Sequence, residues 1–72
     1  MERLKRLREK FGMSQAELAD KAGISQPFIG AIESGRKSPT LRTLEKLANA
    51  MDISVLELLG AVGEPSAKVA SE

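Results

Sequence analysis

The side chains that most often carry covalent or metal chemistry are missing from this chain. It holds no histidine and no cysteine. That excludes Ser-His-Asp and Cys-His catalysis, thiolate and imidazole metal sites, and disulfides. The ten carboxylates are scattered and stand mostly beside Lys or Arg, the pattern of solvated helix faces. With no nucleophile–base pair, no metal set and no phosphate-cradling glycine loop, neither an enzyme nor a bound cofactor is expected. What can still act is positive charge, and its placement is uneven. Residues 1–12 carry a net +3 and residues 36–47 another +3, while 13–35 sum to −2 and 48–72 to −3. Segregation of this kind suits an anionic partner, although polar helix faces can produce it too.

Between the two basic blocks lies "SQPFIGAIESGRKSP", residues 25–39. It reads as a helix opened by Ser25 and closed by Gly35. Ile29 and Ile32 turn inward. The opposite face, Pro27, Gly30, Ala31 and Ser34, carries no charge and almost no side chain, and Arg36 and Lys37 follow at once. Gly inside a helix costs about 1 kcal/mol relative to Ala, so Gly30 calls for a reason.

The elements that must position this face follow from helical spacing throughout, with no period-two stretch. Leu4, Leu7 and Phe11 mark a first helix that stops at Gly12. Ser14 with Glu17 forms a capping box that opens a second helix, which buries Leu18, Ala19 and Ala22 and stops at Gly23. The third helix has Pro27 in its first turn, where a missing N–H costs little. After "RKSP", Thr40 opens a fourth helix through Leu41, Leu44, Leu47, Ala48 and Met51. Ser54 with Glu57 opens a short fifth. The expected organisation is one all-α domain of five helices over residues 1–60, followed by a polar, aperiodic and disordered tail over 61–72. No apolar run reaches membrane-spanning length or looks like a signal peptide, so the expected setting is cytoplasmic, with no membrane partner.

Residues 15–34 hold the most informative spacing. Ala19 is small where two helices must cross closely, and Gly23 supplies a left-handed turn. Ile24 caps that turn, and Ile29 and Ile32 seat the second helix of the pair. In this register they describe a helix-turn-helix. Here the chain resembles the Xre, or lambda-repressor-like, helix-turn-helix proteins. The resemblance runs over residues 3–60 through "SQAELA", "IESG" with basic residues after it, and a Pro-Thr-Leu start to the fourth helix.

The resemblance implies a five-helix DNA-binding domain whose third helix enters the major groove of double-stranded DNA. It implies base contacts by Gln26, Pro27, Phe28, Gly30 and Ala31. Backbone contacts would come from Ser14, Gln15, Ser34, Arg36, Lys37, Ser38, Thr40 and Arg42. Arg8 and Glu33 match a partly buried ion pair between the first and third helices. Pro27 departs from the family, standing where relatives often place a polar base reader. Leu56 stands where relatives usually place a polar residue, and Val62 extends the apolar surface beyond it, so both are expected at a homodimer interface. The leading expectation is a homodimeric repressor on a palindromic operator. Antitoxins and restriction-modification controllers share the module, and a protein partner such as a toxin or polymerase, or a pure protein-interaction adaptor, stands as the alternative.

Overall fold

The computed structural model describes residues 1–61. Five helices follow in order: α1 (Glu2–Lys10), α2 (Gln15–Ala22), α3 (Gln26–Ser34), α4 (Leu41–Ala50) and α5 (Val55–Leu59). Among the described residues the fold is all-α. The segment from residue 62 onward, with Val62 and most of the expected tail, lies outside them.

Helices this short are marginal alone and hold one another. Each contributes one apolar stripe to a single core: Leu4 and Leu7 from α1, Leu18, Ala19 and Ala22 from α2, Ile29 and Ile32 from α3, Leu47 and Ala48 from α4, and Leu58 from α5. Met51 joins them from the end of α4. α2 packs on α3 and α4, α1 on α3 and α5, and α4 on α5. The α2–α3 turn closes through Gly23 at φ 72. There the Ile24 N–H donates to the Ala19 carbonyl at 3.0 Å, a bond across the turn that needs a left-handed residue between.

Two residues depart from the sequence reading. Leu41 is 64% exposed, although its spacing from Leu44 continues the apolar stripe of α4. It occupies the first helical position of α4, and of that first turn Leu44 is the one packed against the core. Ala31, expected on the open face of α3, is only 5% exposed. It sits on the outer half of the helix by angle. The chain beyond Gly35, however, folds back onto the last turn, where the N–H groups of Arg36 and Lys37 donate to the Ala31 carbonyl at 2.9 and 3.2 Å.

Candidate nucleic-acid interface

The two helix starts that flank α3 are built differently. At α2 the Ser14 N–H donates to Glu17 Oε1 at 2.8 Å, and the Glu17 N–H donates to Ser14 Oγ at 3.0 Å. The box satisfies two backbone donors, but it also sets a carboxylate at the positive end of the helix. At α4 the Thr43 N–H donates to Thr40 Oγ1 at 3.1 Å. No acidic residue stands in that first turn. Arg36, Lys37, Ser38, Thr40 and Arg42 around it are all exposed. The α4 start therefore keeps its positive field and adds three cations to it, the electrostatic requirement for a phosphate.

The open face of α3 consists of Gln26, Pro27 and Ser34, all exposed, with half-buried Gly30 between them. Phe28 is half-buried, with its ring against the core. Ser34 Oγ donates to the Ala31 carbonyl at 3.3 Å and accepts from Arg36 Nε at 3.0 Å. That contact pins one basic side chain of the α3–α4 loop to the edge of the α3 face. A Cβ added at Gly30 would meet only the Gln15 side chain, 3.7 Å from Nε2, an ordinary contact. Crowding within the protein therefore does not require the glycine.

Behind this face lies a polar cluster. Arg8 Nε donates to Glu33 Oε2 at 2.7 Å, Arg8 Nη2 to Glu33 Oε1 at 3.3 Å, and Arg8 Nη1 to the Met13 carbonyl at 2.8 Å. Gln15 Nε2 donates to the same Glu33 Oε1 at 3.0 Å. Burial pushes the Glu33 pKa up. The hydrogen bonds from Arg8 and Gln15 and the charges of Arg8 and Lys5 outweigh it and hold the carboxyl below its ordinary value. The hydrogen bond to Glu33, opposed by burial, raises the Arg8 pKa in turn. α3 thus carries an acidic residue without presenting net negative charge. The Gln15–Glu33 bond joins residues eighteen apart, and nothing in their local sequence signals it.

The N-terminal basic block is largely absorbed by the fold. Arg3 donates to the carbonyls of Leu58 at 2.9 Å and Glu57 at 2.7 Å, closing the end of α5. Arg8 is buried in its pair. Among the described residues no group of His, Cys, Asp and Glu side chains could hold a metal ion, and no helix is long and apolar enough to cross a membrane.

Comparison with known proteins gives a consistent picture. A helix-turn-helix family profile matches residues 4–58. The uncharacterized HTH-type transcriptional regulator y4dJ of Sinorhizobium fredii is 39% identical over 82% of this chain and 77% of its own length. The restriction-modification controller protein C.AhdI from Aeromonas hydrophila superimposes with a TM-score of 0.77 at 38% identity, covering 79% of this chain and 86% of that one. SinR, the master regulator for biofilm formation, solved in complex with DNA, gives 0.75 at 37% identity over 81% and 94%. Against other curated relatives, regulators and phage repressors, the chain spans only 41% to 61% of their length. A profile matching most of the chain, curated relatives that are transcriptional regulators, and solved helix-turn-helix folds at this identity together make the chain a member of the Xre, lambda-repressor-like, helix-turn-helix family.

Proposed function

We propose that this chain is a sequence-specific double-stranded DNA-binding transcriptional regulator, a repressor that reads the major groove with α3 and binds a two-fold operator as a homodimer. The observation that carries the reading is the uncharged open face of α3 lying beside an α4 start that is free of acid and ringed by cations. DNA offers the matching surface, phosphates flanking a groove of base edges. SinR, whose fold this chain shares, is a DNA-bound regulator.

Gln26 projects from the first turn of α3. A carboxamide offers one donor and one acceptor edge, the pattern adenine displays in the major groove. Pro27 has no N–H to donate and reads shape or a thymine methyl. Phe28 adds only the exposed part of its ring. Gly30 lets the helix backbone sink into the groove. Arg36, Lys37, Ser38, Thr40 and Arg42 clamp the phosphate backbone, with Ser34 beside Arg36 and the start of α2 at Ser14 and Gln15 on the other flank. Ala31, being buried, takes no part.

Selection of bound sequences from a random duplex pool tests the proposal. The expected result is an enriched two-fold site with half-sites about one helical turn, roughly 34 Å, apart. Failure to enrich any sequence would overturn the sequence-specific reading.

A further inference from the structure

We propose that Lys5 of α1 is a further DNA-backbone contact, gripping a phosphate at the edge of the α3 face, and that Glu2 opposes it there. The assignment rests on the DNA-binding reading above.

The N-terminal block holds five cations: Arg3, Lys5, Arg6, Arg8 and Lys10. Arg3 is spent on the α5 carbonyls, Arg8 on Glu33, and Lys10 has a partner of its own. Lys5 and Arg6 remain, both exposed. They differ in where they stand. Lys5 precedes Arg8 by three residues, so it shares the face of α1 that meets α3. Together with Glu2, Gln15, Gly30, Glu33 and Ser34 it lines a surface depression of about 260 Å³. Arg6 does not border that depression.

The depression opens onto the face that would enter the groove, since Gly30 and Ser34 form its α3 wall. Glu33 is paired there with Arg8, and the exposed charges at the rim are Glu2 and Lys5, whose field also reaches Glu33. Gln15 Nε2, after donating to Glu33, keeps a second N–H. An ammonium and an amide N–H among the groups lining one shallow basin match a phosphate. Basic side chains of this kind position the protein without reading sequence. Glu2 at the same rim works against the ligand, so the two side chains have opposite effects.

Anisotropy titrations of a mixed-sequence duplex of about two helical turns, at a series of salt concentrations, decide the matter. Lys5→Gln is expected to weaken binding about three- to tenfold and to reduce the steepness of the salt dependence by about one per protomer. Glu2→Gln is expected to tighten binding. Arg6→Gln removes the same formal charge as Lys5→Gln and is expected to change affinity by less than about twofold, since a charge away from the contact is screened. Lys5→Gln and Arg6→Gln giving the same affinity and the same slope, in a background where the wild type binds duplex normally, would remove the Lys5 assignment and leave the DNA reading intact. A wild-type chain that is helical by circular dichroism yet binds no duplex at low salt overturns both.

Discussion

The Arg8 guanidinium and the Glu33 carboxylate join α1 to the candidate recognition helix through a two-point contact, at 2.7 and 3.3 Å, with both side chains at least nine-tenths buried. Removing one partner leaves the other charge buried alone. Arg8→Ala or Glu33→Ala is therefore expected to cost about 3 to 5 kcal/mol, a large share of the stability available to a domain this small. Chemical denaturation would measure it. A loss below about 1 kcal/mol would mean that the pair behaves as a solvated surface contact.

The same pair sets an acid limit. The folded-state pKa of Glu33 lies below its ordinary value, so its contribution to stability is fully present above the unfolded carboxylate pKa, about 4.3. It is lost as pH falls from there through the lower folded value. Thermal melting should drop over that acidic window, and Glu33→Gln should flatten the drop. A Glu33→Gln profile parallel to the wild type below pH about 4 would dissociate Glu33 from acid unfolding.

The element plan was legible because its signals are local. Ser14, Ser25, Thr40 and Ser54 all accept the backbone N–H three residues on, and Gly23 and Gly35 end their helices in left-handed geometry. These are choices each short segment makes alone. The burial of Ala31, the exposure of Leu41 and the diversion of Arg3 to the end of α5 depend on where other segments arrive. Helical angle places Ala31 outside, yet it is only 5% exposed in the folded chain. The basic block of residues 1–12 read as one charge patch, yet the fold gives Arg3 and Arg8 separate structural tasks and leaves Lys5 and Arg6 exposed, a distribution that charge counting along the chain does not register.

Association with DNA should weaken steeply with salt. For about four to six phosphates neutralised per dimer, log K should fall with log[salt] with a slope of roughly −4 to −5. Arg42→Ala should flatten the slope and weaken all sequences alike, since Arg42 is exposed beside the acid-free start of α4. A slope near zero would count against the whole backbone clamp.

Leu56 and Leu59, three residues apart on α5, are 56% and 49% exposed. The sequence reading singled out Leu56 and did not name Leu59. Leu58 alone takes the core position. One exposed Leu needs no explanation, but two on one face of so small a domain fit a two-fold partner. Sedimentation should show a dimer at tens of micromolar for the wild type and a monomer for Leu56→Asp and Leu59→Asp. Monomers throughout would move the interface elsewhere.

Gly30 separates two accounts of the bare α3 face by the sign of one substitution. Were the glycine there to relieve crowding, an added methyl would strain the fold. The site has room for it, since a Cβ would rest 3.7 Å from Gln15 Nε2. Gly30→Ala should then recover helix propensity of about 1 kcal/mol and raise the melting temperature by several degrees. The same room would admit a longer side chain directed outward, and Gly30→Gln should keep the helical circular dichroism. In the groove that side chain would hold the helix backbone away from the base edges, so Gly30→Gln should abolish operator binding while leaving the Arg36 and Arg42 side of the interface chemically untouched. The residual, sequence-independent binding to mixed duplex should retain its salt dependence, because phosphate contacts do not require the helix to reach full depth. A Gly30→Gln protein that binds its selected operator at wild-type affinity would show that the α3 backbone does not approach DNA at this position.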